Sequence, residues 1–406
     1  MTGASMQARD TSRDTMVIIL AGAVVIGLGF GVRSIFGIVL DPMSTEFGWP
    51  REIFSFSLAI QNLVWGFSQP FFGAFADRFG DRKAMWLGLG LYVAGMLVSA
   101  MGYAPWMQHL GAGVLVGLGV SGTGFGIVLA AVGRRTGDAN RAKVMATAAA
   151  LGSLGQMGLP LLAGWLTEAY GWQVTLFVVG ALLIPMAAVI PMFGRTPIVE
   201  EGEPEPSVDN RTLLTHAFGQ SSYILLMFGF FVCGFHVGFM TAHLPAYVYE
   251  TAGSLTLGAA ALSIVGGANV VGTWVFGQLG SRFPKPYVLS TLYAIRALVM
   301  LVFLMVPATP LTVLLFAGAV GLAWLATVPL TSALVASIFG PKYMATLYGI
   351  VFLSHQVGSF IGIWMGGKVY DLYGNYDLIW WAAIALGIFS ALVHLPVSEK
   401  RVRLPA

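Results

Sequence analysis

Residues 73–83 read GAFADRFGDRK, and residues 277–286 read GQLGSRFPKP. Each closes a long apolar run with small residues, an Arg-Phe pair and then basic residues, and Gly277 stands 204 positions after Gly73. Other pairs share nearly the same spacing. One apolar run ends in VLDPM with Pro42 and another in HLPAY with Pro245; GWLTEAYGW and GKVYDLYGNY set Gly164 against Gly367 and Tyr170 against Tyr373, each pair 203 positions apart. Three separate matches at one offset mark an internal duplication, each copy filling half of the chain.

Working outward, the 406 residues are 57% hydrophobic and only 10% charged. A soluble domain carries about 25% charged residues and has no room for so much apolar surface. A bilayer does, at about 20 apolar residues per crossing. Twelve apolar spans are expected, at 16–40, 53–75, 84–103, 108–133, 143–166, 172–194, 221–247, 256–280, 286–307, 311–338, 343–367 and 376–396. The longest polar stretch, rich in Pro and Glu, falls between the sixth and the seventh and reads as a linker. The expected layout is an N-terminal tail 1–15, a six-helix bundle 16–194, a linker 195–220, a second bundle 221–396 and a tail 397–406. With the N-terminus in the cytoplasm, seventeen Lys and Arg residues fall on the inner side and two, Arg51 and Lys368, on the outer side. That bias orients the chain with both termini inside. The first span is too long for a cleaved signal peptide. The lone Cys233 excludes an intrachain disulfide and a cysteine metal cluster. The sequence carries no Walker loop, no metal-spaced His set and no nucleophile elbow.

GAFADRFGDRK resembles the signature loop between spans 2 and 3 of the major facilitator superfamily, with Gly73, Asp77, Arg78, Gly80, Arg82 and Lys83 in place and Asp81 where a basic residue is more usual. The resemblance covers essentially the whole chain. It implies parallel six-helix repeats and a carrier that alternates access. It also implies that the loop latches the cytoplasmic side, with Asp77 contacting a neighbouring helix. The second copy keeps Arg282 but has Ser281 for the Asp, which implies a weaker latch. Residues 31–55, GVRSIFGIVLDPMSTEFGWPREIFS, are similar to the matching region of monocarboxylate transporters and bacterial oxalate–formate antiporters. Arg33 takes the place of a span 1 lysine that binds proton and substrate in the monocarboxylate carriers. Their span 8 Asp–Arg pair is replaced here by Asn269 and Thr273.

Polar residues collect near the span midpoints: Gln61 and Asn62, Ser121 and Thr123, Gln156, His236, Asn269, Arg296, Trp324 and Thr327, His355 and Gln356. Lipid contact is costly for such groups, so a shared wet cavity is expected. Arg33 is the sharpest signal. A fixed charge at the bilayer centre costs at least about 2.5–3.5 kcal/mol, and no Asp or Glu lies at its depth; the nearest, Asp41, is two turns further out. A guanidinium without a protein partner is suited to a substrate carboxylate. His236 occupies the equivalent position in the second repeat, nine residues before Pro245 as Arg33 is nine before Pro42. It is expected across the cavity as a protonatable partner, with His355 as a second candidate. His243, nearer the outer end, reads as a gate or surface residue. Arg296 falls in span 9, which in this superfamily supports the bundle, so it is either structural or a reaching site residue.

The expectation is an all-α, twelve-span secondary transporter of a small organic anion, a monocarboxylate above all, with proton coupling. Arg33, His236, His355, Gln61, Asn62, Gln156, Asn269, Trp324, Gln356 and Arg296 are the site candidates. No cofactor, metal or nucleic acid is implied; the expected partners are substrate, protons and lipid, around a monomer in the cytoplasmic membrane. A carrier for a larger or neutral compound and a non-transporting membrane sensor remain open alternatives, and an intramembrane enzyme is the least favoured.

Overall fold

The structure is a computed structural model, and it describes residues 3–135, 141–193, 209–340 and 343–402. Parts of the expected N-terminal tail, central linker and C-terminal tail, and loop residues between spans 4 and 5 and between spans 10 and 11, lie outside the described residues. The described chain is helical throughout, with no strand among the described residues. Ten of its helices are long and apolar enough to cross a membrane. One of these, Thr147–Phe193, holds two spans, because Gly171 turns the chain at φ 84° inside it. Such a backbone favours glycine, which lacks the Cβ that would clash. The helix Arg51–Phe79, 29 residues long and richer in polar side chains, supplies the remaining span. The total is therefore twelve, as the hydropathy pattern predicts.

Several spans depart from plain helices. Span 1 runs to Phe47, beyond its expected end, and is interrupted once, at Ile35 between the helices Gly3–Ser34 and Phe36–Phe47. Span 4 changes from a π-helical turn at His109–Leu115 to α-helix, then breaks at Gly124. Span 10 breaks between Leu322 and Thr327. These last two breaks fall at corresponding places in the two copies, since Thr327 stands 203 residues after Gly124. The expected linker includes a short helix, Asn210–Phe218, whose Asp209 cap accepts a hydrogen bond from Thr212 N at 3.2 Å.

The spans pack most closely where glycines let backbones touch. In the first copy, spans 1 and 5 cross so tightly that a Cβ on Gly155 would lie 1.9 Å from the Gly27 carbonyl oxygen. In the second, spans 7 and 11 cross with Gly234 1.8 Å, by the same measure, from the His355 carbonyl oxygen. Small residues serve this purpose where no hydrophobic effect drives helices together. The two copies meet chiefly through span 2 on span 11, span 5 on span 8 and the end of span 1 on span 7. The site lies in that seam.

Candidate functional site

Arg33 lies in the last turn of the first helix of span 1, three residues before the helix resumes at Phe36, and its side chain is buried. The side chain reaches span 2. There its Nη2 donates to Asn62 Oδ1 at 2.5 Å, and its guanidinium carbon lies 5.2 Å from the centre of the Trp65 ring. Its Nε is buried with no hydrogen-bond partner. No carboxylate among the described residues pairs with it. Asn62 is itself fixed, donating to Leu58 O at 2.9 Å, and its backbone carbonyl accepts from Gln356 Nε2 at 2.9 Å across the seam. Gln61 donates to Ala112 O at 2.7 Å and so braces span 2 on span 4.

Gln356 orients His355. The histidine Nδ1 is 2.9 Å from Gln356 Oε1, a carbonyl oxygen that can only accept, so Nδ1 carries the proton. His355 Nε2 is then the free acceptor, buried and unpartnered. Arg33, Asn62, Gln356 and His355 thus form one polar chain across the interface between the copies.

The remaining candidates sit elsewhere. His236 does not face Arg33: its Nε2 donates to Ala383 O at 2.8 Å, turning the ring onto span 12 within its own half. Arg296 is fully buried and spends its donors on the broken span 10, giving Nε to Ala323 O at 2.7 Å, Nη2 to Trp324 O and Nη1 to Cys233 Sγ at 3.5 Å. Asn269 secures the same break, accepting from Leu325 N at 2.9 Å. Trp324 is buried there. Arg296, Asn269 and Trp324 therefore hold the interrupted helix rather than surround Arg33. Gln156 is half-buried on span 5, where Gly266 of span 8 rests against its backbone.

Charge clusters stand at both ends of the bundle, and sequence reasoning passed over the cluster at one end but named the loop at the other. At one end, Arg51 pairs with Asp41 of span 1 and, at 2.6 Å, with Glu250 of span 7. Its Nη1 also donates to Tyr376 OH at 2.9 Å, its guanidinium carbon lies 3.7 Å from the centre of the Tyr370 ring, and its backbone N donates to Asp371 at 2.9 Å. Glu52 accepts from Trp364 Nε1 at 2.8 Å. His243 joins this cluster through Tyr376 OH at 3.3 Å. These bonds stitch the two copies together at the Arg51 end. The available signal was charge placement: the side with only two cations holds seven carboxylates, and four of them, Asp41, Glu52, Glu250 and Asp371, belong to this cluster.

At the other end, Asp77 is 71% exposed and, among the described residues, pairs with Arg134 of its own half at 3.3 Å. The buried carboxylate is Asp81, the residue that departs from the signature, and it pairs with both Arg134 and Arg135, the latter at 2.7 Å. Lys285 and Glu399 pair at 3.3 Å within the second half. The ion pairs between described residues at this end thus stay within one copy. Breaking a buried pair strands a charge at a cost of about 3–5 kcal/mol. Asp81→Ala should therefore lower the thermal unfolding midpoint in detergent by several degrees, while Asp77→Ala leaves it within about a degree. Equal shifts would refute this assignment of the buried charge.

The sequence model of the Major Facilitator Superfamily matches residues 19–363. The chain belongs to that superfamily. It is 30% identical over 399 residues to YcxA of Bacillus subtilis (strain 168), an uncharacterized MFS-type transporter, covering 91% of this chain and 92% of that one. It is 24% identical to mouse monocarboxylate transporter 11, across 89% of this chain and 82% of the relative. Among solved structures, the nucleoside transporter NupG superposes with a TM-score of 0.77 at 13% identity, covering 94% of this chain and 99% of that one. A D-xylose–proton symporter gives 0.74 at 14% identity, covering 95% and 99%. At such identities the structures speak for the fold alone. The chain is a multi-pass membrane protein and a secondary transporter of the major facilitator fold, not an enzyme.

Proposed function

We propose that this carrier moves a small organic monocarboxylate, held by Arg33 and coupled to a proton at His355. The observation that carries the reading is a buried guanidinium with an unpartnered Nε and no described carboxylate beside it. An anionic guest supplies that partner through charge-assisted bonds. Asn62 and Gln61 fix the arginine's surroundings, and Gln356 orients the His355 ring with Nε2 left unpartnered. The likeness to monocarboxylate transporter 11 supports the same direction. His236, Arg296, Asn269 and Trp324 act as the scaffold of the second bundle.

The bundles are 16–194 and 221–396, joined by 195–220, in a monomer of the cytoplasmic membrane with both termini inside, as the basic residues indicate. The Arg51 end is then external and latched, and the carrier stands closed to the outside. Opening requires the Arg51 cluster to part as the Asp77 end closes.

Reconstitution tests this. Proteoliposomes carrying the protein should take up labelled monocarboxylates in preference to dicarboxylates, and an inwardly directed proton gradient should raise initial rates several-fold. His355→Asn should lose the response to the gradient while keeping exchange of carboxylate. A gradient response intact in His355→Asn would remove the proton from His355.

A further inference from the structure

We infer that the carboxylate's body is an aryl or long alkyl group, received by an aromatic floor centred on Trp65 and Phe352. The inference rests on the carboxylate reading above and deepens it.

Around Arg33 the two directions along the bundle differ. Toward the Arg51 end the path is filled: the cavity beside Arg33, lined by Gly37, Leu58 and Gly238 among others, has about 10 Å³, room for one water. There a Cβ on Gly37 would lie 2.2 Å from Thr241 O, so spans 1 and 7 are in contact. The body of a bound acid has no space on that side.

Toward the Asp77 end the next helical turn is aromatic. Phe30 precedes Arg33 by one turn on span 1, and Trp65 follows Asn62 by one turn on span 2. Trp65 lies 5.5 Å from Phe30 edge to face and 5.2 Å from Phe352 of the opposite copy. Phe30 touches Phe125 at 4.5 Å, and Phe352 stacks on His355 at 5.8 Å, the planes 8° apart. Trp65 therefore touches the anion-binding arginine, the first-copy aromatics and the second-copy wall at once.

The polar side chains beside Trp65 on spans 2 and 4 are already engaged. Trp65 Nε1 donates to Gln69 Oε1 at 3.0 Å, so the indole offers no free donor there. Ser68 and Ser121 bond each other at 2.6 Å and also reach backbone carbonyls. Arg296, the other cation at mid-depth, is consumed by span 10. No second cation among the described residues stands ready for a second carboxylate. One charge beside an aromatic surface selects a monovalent acid with an apolar body.

The test is competition against uptake of radiolabelled 3-phenylpropanoate in proteoliposomes of the full chain. The competitors are acetate, hexanoate, succinate and 3-phenylpropanamide. Burying the phenyl or alkyl body favours 3-phenylpropanoate and hexanoate over acetate by at least about tenfold, and succinate and the amide compete poorly. Trp65→Ala and Phe352→Ala each reduce the aryl-to-acetate preference by about tenfold, and Trp65→Phe keeps most of it. Gel-filtration profiles identify any variant that fails to fold, and either alanine variant alone then suffices. Acetate competing as well as 3-phenylpropanoate, or a preference intact in both alanine variants, overturns the aromatic floor and leaves the carboxylate reading standing. Competition by the amide with none by any acid overturns both.

Discussion

Arg33→Ala should lower kcat/KM for the transported carboxylate about a hundredfold. The guanidinium is buried, and the bond it would give a carboxylate is charge-assisted. Hydrogen bonds to charged groups contribute about 1.5–3 kcal/mol each, and about 3 kcal/mol corresponds to two orders of magnitude. Arg33→Lys keeps the charge but loses the fork that grips two oxygens, so an intermediate loss is expected. Arg296→Ala makes a discriminating companion. Its donors close the carbonyls of the broken span 10, so that substitution should reduce the yield of folded protein before any transport is measured. Initial uptake rates over a concentration series, normalised to folded protein, separate the two arginines. Arg33→Ala transporting at the wild-type rate would end the anion reading and leave the fold untouched.

The contrast between these arginines shows what the sequence could and could not convey. Span number and the two-copy fold follow from hydropathy and repeated spacing, which involve whole spans at once. GAFADRFGDRK located a cytoplasmic-type loop, yet it pointed to Asp77, whereas the buried charge is Asp81; burial depends on which neighbour's arginines arrive, and Arg134 and Arg135 come from span 4. Arg33 was legible because an isolated charge in an apolar run is costly wherever it points. His236 was legible as a candidate but not in direction. It occupies the duplicated position of Arg33, but span 7 lacks the break at Ile35, and the ring meets Ala383 of span 12 instead. Breaks at Gly124 and before Thr327 leave hydropathy unchanged, so periodicity does not reveal them. The Arg51 cluster assembles ends of spans 1, 2, 7, 11 and 12, which no local pattern brings together.

That cluster leads to the second large effect. Arg51→Ala removes the guanidinium that bridges Asp41, Glu250 and Tyr376 and leaves the two carboxylates without the cation they share. The Arg51 and Asp41 side chains are only 9% and 13% exposed, so water recovers little of the loss. Removing one member of such a pair costs about 3 kcal/mol or more, and all of it falls on the state in which the two copies touch at this end. A differential of that size shifts the equilibrium between closed and open at the Arg51 end by about a hundredfold. Spin labels at the exposed positions Tyr103 and Tyr373, one in each copy, would report it. Wild type should give a short-distance population that Arg51→Ala largely converts to a longer one. Adding Glu250→Gln and Asp41→Asn to Arg51→Ala should restore part of the short population, because the repulsion is then removed with the attraction. An unchanged distance distribution in Arg51→Ala would show that the aromatic and backbone contacts at this end hold it shut without the charge.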